Sequence, residues 1–112
     1  MMKETDETKA QRAKAIKTVE EMINGKVGII AGARIMSGLR FDTELPEDDE
    51  DFLVLVAIDS ETDDLPVGPE RVQWSAEALR EKDLEIQRCE ELYRQDAIDA
   101  CERLILKLTG EV

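Results

Sequence analysis

The sequence predicts an all-α protein, a small helical bundle of about four helices that ends in one long helix. Two observations predict it. Apolar residues recur at three- and four-residue steps over most of the chain, which is the spacing of one helix face. Only four of the 112 residues are aromatic, so the core must be built mainly from aliphatic side chains. We expect a single domain over residues 1–112, with residues 1–4 and 110–112 frayed.

The first predicted helix covers residues 5–24. Its apolar residues follow one stripe and leave most of the lysines and arginines elsewhere on the helix. The Asn24-Gly25 pair predicts its end, because both residues tolerate left-handed backbone dihedrals. The stripe consists of Ala13, Ile16, Val19, Met22 and Ile23.

The second element, residues 26–39, has a helical apolar stripe that is interrupted by three glycines. Each glycine weakens a helix by about 1 kcal/mol relative to alanine. We interpret them as positions where a neighbouring helix approaches the backbone closely. A strand over residues 26–31 is the alternative. The glycines are Gly28, Gly32 and Gly38.

The third element, residues 48–60, contains the apolar run 52–58, whose period does not distinguish a buried strand from a buried helix. Four acidic residues, 48–51, precede the run, and acids are favoured in the first turn of a helix. A strand here would find a partner only at residues 26–31, and a two-stranded sheet is marginal by itself. We therefore favour helix; the alternative fold is α+β with a short strand pair at 26–31 and 52–58.

The last predicted helix begins at Ser75, after an irregular segment broken by prolines and Gly68. It runs to about Leu108, stops before Gly110, and is roughly 50 Å long. The part beyond Tyr93 has a broad apolar stripe and should pack in the core. The earlier part is rich in charge and either projects or lies on the protein through a narrow contact.

The net charge of −12 is concentrated in one segment. Residues 41–64 contain eleven acidic residues and no basic one, whereas residues 1–40 have a net charge of +3 and residues 65–112 of −4. Such a segment repels nucleic acid and anionic lipid and attracts basic surfaces. Solubility and helix capping account for part of it, and a docking face for a basic protein is the functional interpretation.

The acidic residues flank the apolar run 52–58, so a buried element could hold two acidic loops as one fixed surface if both emerge on the same side. Trp74 follows in a Pro/Gly loop; it is either an exposed anchor for the partner or a plug that covers the helix ends. The candidate partner-binding residues are Asp48, Asp49, Glu50, Asp51, Asp59, Glu61, Asp63, Asp64 and Trp74.

The sequence offers little for catalysis. It has no histidine, which removes the commonest general base and metal ligand. Cys89 and Cys101 lie among carboxylates, which raise the pKa of a thiol. On one helix their Cα atoms would be about 18 Å apart, too far for a disulfide. We expect no catalytic residue, no cofactor and no enzymatic activity.

The acidic residues over 59–70 partly match the spacing of a calcium loop. Asp59, Glu61, Asp63 and Glu70 occupy acidic positions of such a loop. Position six, however, is Asp64, where the loop requires glycine for its sharp turn. The sequence therefore predicts no metal site.

The N-terminus carries acids at once and no apolar segment typical of a signal peptide. The longest apolar run, residues 52–58, has seven residues, far fewer than the roughly 20 needed to cross a bilayer. These features predict a cytoplasmic protein that does not enter a membrane.

The residues 52–68, Trp74, Lys82-Asp83, Tyr93-Arg94 and the Cys101-x-x-Leu104 pair resemble short bacterial proteins. Some of these are similar to immunity proteins encoded beside secreted polymorphic toxins. The resemblance covers about residues 19–106, carries no catalytic motif and transfers no functional residue. It implies an antitoxin that occludes a cognate toxin; the alternative is a helical structural protein that forms a homodimer through its long helix.

Overall fold

The computed structural model describes residues 6–110, and all regular structure in this part of the chain is helical. The helices are α1 (Asp6–Ile23), α2 (Ile29–Leu39), α3 (Glu50–Glu61) and α4 (Ala76–Thr109), with a short 3-10 helix at Pro69–Gln73. The predicted all-α bundle with a long last helix is confirmed. The alternative strand pair is wrong: residues 29–31 and 52–58 are helical, and residues 26–28 belong to the irregular connection between α1 and α2.

The expected fraying at residues 1–4, and at residues 111–112, lies outside the described residues. The predicted boundaries of the helices hold to within a few residues. Asn24-Gly25 follows α1, and Gly25 has a φ of 76°, a left-handed conformation that glycine adopts without steric cost. The Ser75 side chain caps α4 by accepting a hydrogen bond from the Ala78 amide at 3.1 Å.

The core lies where all four helices meet. Each of α1, α2 and α3 packs against α4, and α2 also contacts α1 and α3. Apart from Phe52, the buried hydrophobic side chains are aliphatic or contain sulfur, as the composition predicted. The largest of them are Val19, Met22, Ile30, Met36, Phe52, Leu55, Leu65 and Leu104.

Gly32 allows α1 and α2 to approach closely. A Cβ atom at this position would collide with Cγ and Sδ of the buried Met22 on α1. The interpretation of the glycines as close-approach positions is thus confirmed at Gly32. It is wrong at Gly38, where a Cβ would meet nothing within 4 Å.

The two parts of α4 differ as predicted. Its buried residues all lie from Ala97 onward. The earlier part lies along the rest of the protein through a narrow polar contact. Arg71 of the 3-10 helix donates to both carboxylate oxygens of Asp83 at 2.7 and 3.0 Å. Glu90 accepts hydrogen bonds from the Ile29 and Ile30 amides at 2.8 and 2.6 Å, which caps the start of α2.

Candidate functional site

The acidic residues before α3 begin with its N-cap. One carboxylate oxygen of Asp49 accepts hydrogen bonds from the amides of Asp51 and Phe52, both at 3.0 Å. The other oxygen accepts a hydrogen bond from Nζ of Lys107 on α4 at 2.7 Å. Asp49 therefore satisfies two orphan amides of α3 and at the same time joins α3 to α4.

Asp51 is buried and is held by two cations from α4. Its side chain is 1% exposed, and its two oxygens accept hydrogen bonds from Lys107 Nζ at 2.7 Å and from Arg103 Nε at 2.8 Å. A buried carboxylate is tolerated only when it is paired and hydrogen-bonded. We call Asp49, Asp51, Arg103 and Lys107 the interhelical ion cluster.

Within the interhelical ion cluster, the pKa values of Asp49 and Lys107 are shifted in opposite directions by their contact. Burial acts to raise the pKa of Asp49, but hydrogen bonds from Lys107 and from the Phe52 and Asp51 amides hold it below its ordinary value. Burial acts to lower the pKa of Lys107, but hydrogen bonds to Asp49 and Asp51 hold it above its ordinary value. Both partners of the Asp49–Lys107 pair are thus stabilised in their charged forms.

The role of these two acids corrects part of the predicted docking face. Asp49 and Asp51 hold α3 against α4, so their carboxylates face α4 and not a partner. Asp48 and Glu50 remain exposed beside them. The first-turn acids are recognisable in the sequence, but their cations are not, because they lie more than fifty residues further along the chain.

The other end of α3 is held in a different way, through Arg34 of α2. Its guanidinium donates to the backbone carbonyls of Thr62 at 2.8 Å and Leu65 at 3.2 Å. A cation here also complements the C-terminal end of the helix dipole. Arg34 forms an ion pair with Asp59 at 3.4 Å, and Asp59 is partly buried. Asp59 is therefore a third predicted docking residue that has a partner within the chain.

Three acidic residues at this end, Glu61, Asp63 and Asp64, are exposed, and we call them the C-terminal acidic patch. Within residues 6–110, Glu61 and Asp63 make no ion pair. Asp64 approaches Lys82 of α4 at 3.9 Å and is 66% exposed. These carboxylates are available to a partner.

The acidic segment therefore forms two groups and not one surface. Its two ends are separated by the length of α3, twelve residues or about 18 Å. Trp74 is partly buried where the 3-10 helix ends, and Lys82 Nζ lies 5.9 Å from its ring centroid. Trp74 is thus neither a fully buried plug nor a freely exposed anchor.

A groove between α3 and α4 lies next to the C-terminal acidic patch. It has a volume of about 210 Å³ and mainly apolar walls. We call it the α3–α4 groove; its walls are Val54, Ala57, Ile58 and Tyr93, and its rim carries Glu61 and Asp96. Sequence reasoning missed the groove. Its signal was the 54, 57, 58, 61 spacing, but the run 52–58 has no polar face to show which side points outward.

A second cavity, of about 310 Å³, lies between α2, the 3-10 helix and the first part of α4. Its charged groups are already paired within the chain. Arg71 and Asp83 pair with each other, and the hydrogen bond from Arg71 holds the pKa of Asp83 below its ordinary value. Glu90 caps α2. These groups therefore give the cavity no free charge with which to select a ligand.

The two cysteines are free thiols, as predicted. Burial, and then the nearby Glu102, raise the pKa of Cys101 to about 12. Burial, followed by the charges of nearby carboxylates, also raises the pKa of Cys89. Neither thiol has the lowered pKa of a nucleophile. Among residues 6–110, no group of three or more potential ligands is arranged to hold a metal ion.

No protein family, curated protein or solved structure matches this chain. None of the helices within residues 6–110 is both long enough and apolar enough to cross a membrane.

Proposed function

We propose that this is a cytosolic binding protein that occludes a basic surface of a protein partner, as an immunity protein occludes its toxin. The observation that supports the proposal best is the C-terminal acidic patch. Glu61 and Asp63 are exposed and make no ion pair within residues 6–110, and they lie on a protein of net charge −12. Carboxylates without cations of their own are suited to receive those of a partner.

The charge also favours fast capture of such a partner. Complementary surfaces steer diffusional encounter, raise the association rate and make it fall with ionic strength. A protein that acts on nucleic acid presents a basic surface to the phosphates. An acidic protein of this size that docks on that surface would block access to it without any chemistry of its own.

The test begins with affinity purification of the full chain from its native host. We expect a basic protein in one-to-one complex, with an association rate that falls steeply as salt rises. The triple variant Glu61→Gln, Asp63→Asn, Asp64→Asn should slow association more than the loss of three negative charges elsewhere on the protein does.

The matched control removes the same three charges from exposed positions on α4, with Glu77→Gln, Glu81→Gln and Glu91→Gln. If the patch is the docking site, this control slows association less than the patch variant does. Recovery of no basic partner, or an association rate that does not depend on salt, would count against the proposed function.

A second candidate function is self-association through α4. Leu84 and Leu92 on its earlier part are 57% and 71% exposed, and they would suit a helix-to-helix contact. A stable coiled-coil seam needs apolar residues at both core positions of each heptad, and Arg88 stands between these two leucines. Light scattering at micromolar concentration separates the candidates: a dimer supports self-association, and a monomer supports the occlusion of another protein.

A further inference from the structure

We propose that the α3–α4 groove receives an apolar side chain of the basic partner, flanked by lysine or arginine residues that pair with the acidic rim. The inference rests on the proposed function and adds the apolar site at which the partner would be held. Charge steers the encounter of two proteins, but buried apolar contacts supply most of the affinity. A docking surface made of carboxylates alone would lack such a contact.

The geometry of the groove suits one side chain. Val54, Ala57 and Ile58 lie on one face of α3, because residues three and four apart on a helix are neighbours. Tyr93 of α4 forms the opposite wall. Leu53, 40% exposed, lies one turn before Ala57 and extends the apolar surface beyond the groove. The small side chain of Ala57 leaves the space that an inserted side chain would fill.

The rim determines the chemistry of the occupant. Glu61 and Asp96 stand at the edge of the groove, and neither makes an ion pair within residues 6–110. Asp63 and Asp64 follow within one turn of chain beyond Glu61. Acidic or anionic flanks on the occupant would be repelled, whereas lysine or arginine flanks would form charge-assisted hydrogen bonds.

The charge also argues against a second copy of this chain as the occupant. Each copy carries a net charge of −12, so insertion would bring two acidic rims together at the contact. Tyr93 adds a further feature of protein docking sites, because tyrosines are enriched among the residues that contribute most to binding energy. The groove therefore fits an apolar residue on a basic protein.

The test uses a synthetic probe, a short peptide with one central leucine between lysines and arginines, titrated into the full chain and followed by NMR. We expect saturable shifts centred on Val54, Ala57, Ile58 and Tyr93. A peptide with serine in place of leucine should bind more weakly by roughly tenfold, the loss of one buried side chain.

The decisive variant is Ala57→Glu, because two explanations predict opposite signs. It fills the groove and adds a negative charge, so groove insertion predicts weaker binding, by about tenfold, whereas charge attraction alone predicts tighter binding. The control is Ala13→Glu, which adds the same charge at an exposed alanine on α1 and should not weaken binding. Both positions are exposed, and circular dichroism checks that both variants stay helical.

Shifts spread evenly over the acidic residues of both ends of α3, tighter or unchanged binding to Ala57→Glu, or no saturable shift would each overturn the groove proposal. None of these results touches the proposed function, which depends on recovery of a basic partner from the host. If that partner binds Ala57→Glu as tightly as the wild type, the groove proposal fails and the proposed function stands.

Discussion

The two ends of α3 are both rich in acidic residues, but these residues make different contacts with the rest of the protein. At the N-terminal end, Asp49 and Asp51 are engaged by Lys107 and Arg103 of α4. At the C-terminal end, Arg34 donates to two backbone carbonyls and forms ion pairs with Asp59 and Glu70, and it makes no ion pair with Glu61, Asp63 or Asp64. The C-terminal acidic patch is therefore left exposed.

This difference shows that an acidic segment cannot be assigned one role from its charge. A carboxylate that meets a cation from a neighbouring helix becomes part of the fold. A carboxylate whose neighbouring cation is engaged by other groups remains exposed to another molecule. Variants at the two ends of α3 should therefore differ in their effect on the free energy of unfolding.

The largest effect is expected for Lys107→Met. This variant leaves Asp51 buried with one cation and Asp49 with none, and removal of one partner from a buried ion pair is strongly destabilising. We expect a loss of about 3 kcal/mol in the free energy of unfolding, measured by urea denaturation. The matched control Lys82→Met removes a cation at the other end, where exposed pairs contribute at most about 1 kcal/mol. Similar losses in both variants would contradict the distinction.

The next effect is expected for Arg34→Met, which removes the hydrogen bonds to the carbonyls of Thr62 and Leu65 and the ion pairs with Asp59 and Glu70. We expect a loss of about 2 kcal/mol, since hydrogen bonds to charged groups contribute more than neutral ones. Arg34→Lys should recover only part of this, because an ammonium group cannot reproduce the planar guanidinium donors. Full recovery by lysine would show that charge alone holds this end.

The pH dependence of stability should also separate the two ends. The pKa of Asp49 is lowered by folding, so its contribution is present at neutral pH and is lost as pH falls through the lowered value, below 3.8. The pKa of Lys107 is raised, so its contribution is lost as pH rises through the raised value, above 10.5.

The stability difference between the wild type and Lys107→Met should therefore be largest near neutral pH and shrink at both extremes. Urea denaturation over a series of pH values measures it, and Lys82→Met should give a much flatter profile. A Lys107→Met difference that stays constant down to pH 3 would contradict the coupling.

The smallest effect concerns thiol reactivity beside the C-terminal acidic patch. The charge of Asp64 is one of the causes that raise the pKa of Cys89, after burial and Glu85. Asp64→Asn should therefore speed alkylation of Cys89 by less than about threefold at constant pH. In a Cys89→Ser background, Cys101 should react only after unfolding, because burial raises its pKa to about 12. Rapid native labelling of Cys101 would show that the core opens readily.

The sequence was sufficient for the fold because the signals of the helices are local. The apolar stripe of α1, the Ser75 cap and the acids before α3 each predict a helix from neighbouring residues. The choice of helix over strand at 52–58 depends on one local signal, the four preceding acids, and on the lack of a strand partner other than residues 26–31. One of these acids, Asp49, is the N-cap, and two others, Glu50 and Asp51, lie in the first turn of α3.

The candidate site was less predictable because its features depend on distant residues. The burial of Asp51 follows from contacts with Arg103 and Lys107, which no local pattern reveals. The α3–α4 groove is formed by a face of α3 and by Tyr93, which lies more than thirty residues from that face in the chain. In an apolar run without a polar side, the sequence does not show which face remains open.

The most direct test of two roles for one acidic segment compares two matched double variants by urea unfolding. Asp49→Asn with Asp51→Asn removes the anions of the interhelical ion cluster, and asparagine preserves the N-cap of α3. Asp63→Asn with Asp64→Asn removes the same charge from the C-terminal acidic patch. We predict a loss of about 3 kcal/mol for the first variant and no measurable loss for the second. Equal losses, or a larger loss for the second variant, would contradict the account.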